Sequence, residues 1–142
     1  MFEHTTKIRV RYGETDQMGY MYYGNYAEFY EVARVEMLRE LGLSYRTMEE
    51  EGVMLPVTEL SCKYLKPALY DEEISVKVIL EQLPSVKIRF KYELRNEQDE
   101  LINTGETILV FFNMVKKRPC LPPRYFTNKL KPFFESDEPY YG

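Results

Sequence analysis

At Gly52 the spacing of apolar residues along this chain changes from helical to alternating, and that change bounds the folds open to it. Ahead of Gly52, Tyr26, Phe29, Tyr30, Ala33, Met37, Leu38 and Leu41 recur at helical spacing, while Glu28, Glu31, Arg34, Glu36, Arg39 and Glu40 hold most of the opposite face. Asn25 stands at the N-cap with Glu28 three positions on, as in a capping box, and Gly42 suits the position just past the C-terminus. A helix is therefore predicted over Tyr26–Leu41. A second, short helix over Tyr45–Glu51 has Ser44 as its cap and Gly52 as its stop.

Beyond Gly52 the period is two. Residues 53–66 read as a long strand and 67–71 as a turn. Ile74, Val76, Val78 and Leu80 give the next strand, which Pro84-Ser85 ends. Val86 to Leu94 alternates cleanly with charged residues, as a strand with one buried and one wet face should. A polar hairpin loop over 96–100 leads into a last strand over 101–115, which Lys116 to Pro119 closes. Pro122-Pro123 leads into a weak helix near Arg124–Leu130, and a mobile tail is expected from Glu135. At the other end, residues 6–12 alternate Ile8, Val10 and Tyr12 against Lys7, Arg9 and Arg11, a further strand. Residues 13–25 are a glycine-punctuated loop with one helical turn near Gln17-Met18. A helix of about four turns must bury its stripe, and one face of the strands is the only large apolar surface available. The expectation is α+β: an antiparallel sheet of about five strands, four in a meander, curved around one long helix. One domain spans 1–142, with a core at about 6–120 and a C-terminal extension at 121–142.

A formal net charge of −4 argues against a nucleic-acid binder. No apolar run is long enough to span a bilayer, and residues 1–7 lack the apolar stretch of a secretory signal. Cys62 and Cys120 are far apart and form no CxxC, which suits two reduced thiols in a cytoplasmic protein. His4 is the only histidine, so a histidine triad and a metal site lack their ligands. Glycine-rich phosphate loops are missing as well, and no cofactor is expected.

The richest chemistry lies in Arg11-Tyr12-Gly13-Glu14-Thr15-Asp16-Gln17-Met18-Gly19-Tyr20-Met21-Tyr22-Tyr23-Gly24-Asn25-Tyr26. It puts one carboxylate, Asp16, between a strand and a helix start that offers unpaired N–H groups and a positive dipole end. On spacing alone Asp16 reads best as the cap of the turn at Gln17-Met18. Glu14 is a second carboxylate within reach of Arg11. Asn25 serves as helix cap or as substrate ligand. Glu31 and Arg34 are spaced to pair. Six of the 13 tyrosines fall between Tyr12 and Tyr30, as core or as the wall of an apolar pocket.

This segment resembles hotdog-fold acyl-CoA thioesterases of the 4-hydroxybenzoyl-CoA thioesterase type. Arg11-Tyr12, Glu14-Thr15-Asp16, Met18-Gly19, Tyr22, Asn25-Tyr26, Phe29-Tyr30-Glu31 and Ala33-Arg34 match that family's pattern. Tyr64-Leu65-Lys66-Pro67-Ala68 with Asp71 resembles its second-strand and turn segment, and the likeness runs over roughly 6–120. Many relatives carry His where this chain has Tyr23.

The resemblance implies hydrolysis of a thioester of coenzyme A or of an acyl carrier protein, coenzyme A being part of the substrate. It implies that Asp16 attacks the carbonyl or activates a water, and that the Tyr23 backbone N–H polarises the carbonyl. It also implies dimers or tetramers with sites at the junction of two sheets, each using residues of both subunits. Tyr22, Gly24, Asn25 and Tyr26 form the substrate-binding set with Lys63 and Lys66. Those two lysines, with Lys116, Lys117 and Arg118, are candidates for the phosphates. A non-catalytic acyl-CoA or lipid binder on the same fold is the rival reading, favoured by the lost histidine. A dehydratase needs a His paired with a carboxylate, and the lone His4 speaks against it.

Overall fold

The computed structural model describes residues 1–135. In chain order, strand β1 (Phe2–Arg9) is followed by two 3-10 turns (Tyr12–Glu14 and Tyr23–Asn25), helix α1 (Tyr26–Glu40) and helix α2 (Tyr45–Glu50). Then come β2 (Val53–Met54), β3 (Val57–Tyr64), β4 (Glu73–Leu80), β5 (Lys87–Arg95), β6 (Leu101–Val110), β7 (Phe112–Asn113) and β8 (Arg118–Pro119). Helices α3 (Arg124–Leu130) and α4 (Pro132–Glu135) are the last elements among the described residues. The tail expected from Glu135 begins at the last residue of α4, and the rest of it lies outside the described residues.

Five strands form one antiparallel sheet in the order β1-β4-β5-β6-β3. The α+β architecture expected from the change of period is present. The four-strand meander is not: only β4, β5 and β6 follow one another in space. β1 holds the outer edge of β4 over an eight-residue register, from Phe2↔Leu80 to Arg9↔Glu73. β3 is thereby displaced to the far side of β6. Residues 65–72 must then cross the end of the sheet, anchored where the Leu65 and Lys66 N–H groups bond Ile102 O at 2.9 and 3.1 Å.

The long strand expected over 53–66 is split. Pro56 has no N–H to give a ladder, and the register slips between Val57 and Glu59. The strand expected over 101–115 likewise ends at Val110, and β7 pairs with β2 and β8 in a small second sheet. β1 lies earlier than 6–12 because the Arg11–Glu14 contact folds the next residues into a turn. Tyr12, expected on the inner face, is 78% exposed.

Helix α1 lays its stripe across the sheet. Tyr26, Phe29, Tyr30, Ala33, Met37 and Leu38 are all buried, as are the inward residues of β4 and β5. The Tyr30 ring stacks on Tyr92 at 4.1 Å and 5°, and its hydroxyl donates to Asn103 Oδ1 and meets Cys62 Sγ at 3.1 Å. Gly105 makes this close seat possible, since a Cβ there would lie 2.3 Å from Tyr30 Oη. Arg34 does not pair with Glu31. It turns inward, and Nη1 donates to Tyr92 Oη at 3.0 Å. The expected Ser44 cap is present, with its oxygen accepting from the Thr47 N–H at 3.2 Å. The helix anticipated near Arg124–Leu130 is α3.

Candidate active site

The loop between β1 and α1 rests on the crossover segment. Met21 N–H donates to Ala68 O at 2.7 Å, Tyr70 N–H to Gly19 O at 3.1 Å and Asp71 N–H to Val10 O at 2.9 Å. A small hairpin results, closed by an antiparallel bridge between Thr15 and Met21.

Asp16 opens the tip of that hairpin. Its N–H donates to Tyr20 O at 2.8 Å, and Gly19 turns the chain at a φ of +77°, a left-handed conformation open to glycine. Asp16 Oδ1 accepts from the Met18 N–H at 2.8 Å and the Tyr20 N–H at 3.2 Å, while Oδ2 accepts no hydrogen bond among the described residues. The side chain therefore caps its own turn, as spacing alone suggested, and it is exposed. The helical turn expected near Gln17-Met18 is this capped hydrogen-bonded turn; 3-10 geometry occurs instead at Tyr12–Glu14 and Tyr23–Asn25.

Glu14 ties the two halves of the site together. Its carboxylate, buried at 7% exposure, accepts from Arg11 N–H at 2.8 Å and Arg11 Nη2 at 3.1 Å, which is the Arg11 pairing anticipated. That contact also raises the Arg11 guanidinium above its ordinary value. The Glu14 carbonyl accepts from Tyr22 N–H at 2.8 Å and from Asn25 Nδ2 at 2.9 Å. Asn25 is thus no side-chain cap. The 3-10 turn runs straight into α1, leaving Asn25 helical itself (φ −83°, ψ −11°) rather than extended as a capping residue is.

Tyr23 is the first residue of that turn, so its N–H lacks an intrahelical partner, and neither it nor the Gly24 N–H is bonded by any other described residue. The Tyr22 and Tyr23 rings lie 4.4 Å apart and are exposed, whereas Tyr26 is buried and burial pushes its phenol above the ordinary value. Lys63 is exposed on β3 and forms no ion pair among the described residues, whereas Lys66 is paired with Glu100. Lys116, Lys117 and Arg118 sit at and beside the β7–β8 turn, exposed and likewise without acid partners among the described residues.

Sequence reasoning passed over Tyr64. Its hydroxyl donates to the Tyr23 carbonyl at 3.1 Å, and its ring packs edge-on against Tyr26 at 5.1 Å and Tyr23 at 6.4 Å. The only sequence signal was its place in the Tyr-Leu-Lys-Pro-Ala segment. Among the described residues, no group of three or more His, Cys, Asp or Glu is arranged to hold a metal ion. No helix there is long and apolar enough to cross a membrane.

Clefts of about 440 and 730 Å³ open along the sheet. The first includes Lys63 in its lining, and neither includes Asp16, Tyr22 or Tyr23. The Asp16 turn and the donor turn are tied to each other through the Glu14 carbonyl, and Asp16, Tyr22 and Tyr23 are all exposed. β3, which reaches the donor turn through Tyr64, is an open edge of the sheet, with Leu60 at 48% and Tyr64 at 51% exposure.

The sequence model of the Thioesterase-like superfamily matches residues 10–130. The chain is 39% identical over 100 residues to a putative acyl-CoA thioesterase, YneP, of Bacillus subtilis, covering 69% of this chain and 72% of that protein. It is 28% identical over 124 residues to the acyl-CoA thioester hydrolase YbgC of Escherichia coli, covering 87% and 92%. Among solved structures, a DHNA-CoA thioesterase from Staphylococcus aureus superposes with a TM-score of 0.87 at 36% identity, covering 99% of this chain and 98% of that one.

Proposed function

The chain belongs to the Thioesterase-like superfamily, with the hotdog architecture of its structural neighbours, and from that premise we propose that it hydrolyses acyl-CoA thioesters on the two turns joined by Glu14. The observation that carries this is the pairing of a carboxylate with unclaimed amides. Asp16 Oδ1 is held by its turn while Oδ2 stays unbonded, and the Tyr23 and Gly24 N–H groups stand at the entry to α1. Charge develops on the thioester oxygen as the carbonyl carbon becomes tetrahedral, and one such preorganised donor is typically worth about 3 kcal/mol there.

Two routes fit these groups. In one, Asp16 attacks the carbonyl carbon, the C–S bond breaks, the thiolate takes a proton from water, and a second water hydrolyses the resulting anhydride. In the other, Asp16 removes a proton from a water that attacks directly, and the departing thiolate is protonated. Both end in free acid and coenzyme A thiol. Tyr23 serves either route through its main chain, so the phenol in place of the family's imidazole leaves the reaction class untouched. Tyr22, Gly24 and Tyr26 line the acyl side, with Asn25 as brace of the turn. Lys63, with Lys116, Lys117 and Arg118, is freer to meet the phosphates than Lys66, which Glu100 already engages. An acyl carrier protein thioester remains the alternative substrate.

A wall over these exposed groups is ascribed to a second copy joined along the open edge of β3. Exposed edge strands carrying apolar groups are otherwise avoided.

Asp16→Asn tests the reading. The amide keeps an oxygen for the Met18 and Tyr20 N–H groups, so the fold should survive, while thiol release from acyl-CoA in a trapping assay should fall by about 10²–10⁴-fold. Unchanged turnover would refute it. One observation favours a second reading, a non-catalytic acyl-CoA binder: the Asp16 carboxylate is already engaged by its own turn and exposed. That reading expects calorimetric binding of acyl-CoA with no thiol release at any chain length.

A further inference from the structure

We infer that Tyr64, on the edge strand, is a positioning residue that sets and strengthens the amide donors of the proposed thioesterase site, an inference that rests on that reading. The link is one hydrogen bond across 41 residues of sequence, from Tyr64 Oη to the Tyr23 carbonyl at 3.1 Å. The Tyr23 carbonyl and the Gly24 N–H belong to one planar trans peptide and point in opposite directions. Fixing the carbonyl from the sheet edge therefore fixes the direction of the Gly24 N–H. A donor on the carbonyl also draws charge through the amide, strengthening what the N–H offers to an oxyanion.

Other contacts hold the hydroxyl in that role. The Tyr64 ring is braced edge-on by Tyr26, itself buried at the start of α1. β3 is held to β6 through Tyr64↔Asn103, and Asn103 Nδ2 donates to the next-door carbonyl of Lys63 at 2.9 Å. Asn103 is also the residue that accepts from Tyr30 in the core. A chain of contacts thus runs from the helix interior through the sheet edge to the donor turn. Desolvation and the neighbouring Cys62 thiol push the Tyr64 phenol up to about 12, so it remains an O–H donor well above neutral pH. The turn is closed locally as well: Asn25 N–H donates to Tyr22 O at 3.0 Å, Asn25 Nδ2 donates to Glu14 O, and the 3-10 turn runs on into α1, so Tyr64 is the tie that reaches the Tyr23 carbonyl from the sheet.

The test compares Tyr64→Phe and Tyr64→Leu with the parent in thiol-trapping assays, using benzoyl-CoA and decanoyl-CoA as probes. Phe keeps the ring and its packing and removes only the hydroxyl. For Phe the expected result is a kcat lowered about 5- to 10-fold, the loss of one neutral hydrogen bond, with KM and the Kd for free coenzyme A within about twofold of the parent. Tm should stay unchanged. A Phe variant with parental kcat, alongside a Leu variant that loses activity, would show that only packing matters and would overturn the inference. A rise in KM with kcat intact would overturn it too. An inactive parent on both probes, by contrast, would strike at the hydrolase reading itself.

Discussion

Gly105→Ala is the sharpest test of how α1 sits on the sheet. The added Cβ would stand 2.3 Å from Tyr30 Oη and 2.5 Å from two Tyr30 ring carbons. Such contact cannot persist, and the neighbour that must move is badly placed to do so. Tyr30 is fully buried, stacked at 4.1 Å on Tyr92, and bonded through its hydroxyl to Asn103. Overpacking of a core typically costs about 1–3 kcal/mol. Losing the hydroxyl contact adds about 1 kcal/mol and disturbing the stacked pair about another. The sum is roughly 3–5 kcal/mol, against a total stability of about 5–15 kcal/mol for a typical domain. At roughly 3 °C per kcal/mol for a chain of this size, the melting temperature should fall by about 10–15 °C. Thermal and urea unfolding would measure it, with Tyr30→Leu as the partner in a double-mutant cycle. In the Tyr30→Leu background the same alanine should cost below about 1 kcal/mol, because the obstructing ring is gone. A Gly105→Ala variant melting within about 2 °C of the parent would refute the proposed seat.

Other outcomes follow from features described above. Burial pushes the Tyr92 phenol up to about 12, and the Tyr30 phenol is raised further by burial and Cys62. Raised phenols hold their protons more tightly when folded. Their contribution is therefore fully present below about pH 10 and fades as pH climbs from 10 through 12, losing on the order of 3 kcal/mol for Tyr92 alone. Urea midpoints should be level from pH 7 to 9 and fall steeply by pH 11; a level midpoint at pH 11 would contradict the buried positions of these rings. Leu60→Lys places a charge on the open edge of β3, and light scattering should then find monomers in place of dimers, with thioester turnover lost alongside. Dimers persisting in that variant would move the junction elsewhere.

Much of this molecule was legible in its sequence because the physics was local. The stripe of α1, the Ser44 cap, the breaks at Pro84-Ser85 and the polar 96–100 loop each depend on neighbours within a turn or a strand. What escaped depends on residues far apart. β3 leaves the meander because β1, from the far end of the chain, already holds β4. Asn25 gives up its cap to brace the Glu14 carbonyl. Arg34, predicted for the surface beside Glu31, finds Tyr92 on a strand 58 residues on. At the site, the motif gave Asp16 and the entry to α1. The grip of Tyr64 on Tyr23 needed the sheet edge and the helix start placed in one frame.

The exposed ring of Tyr23 carries a consequence of its own. Where the group that meets a developing negative charge is part of the polypeptide backbone, selection can rewrite the attached side chain without touching the reaction. On the proposed reading, position 23 would be a dial for taste, set here to a phenol and turnable toward other acyl groups, while the machinery beneath it stays put.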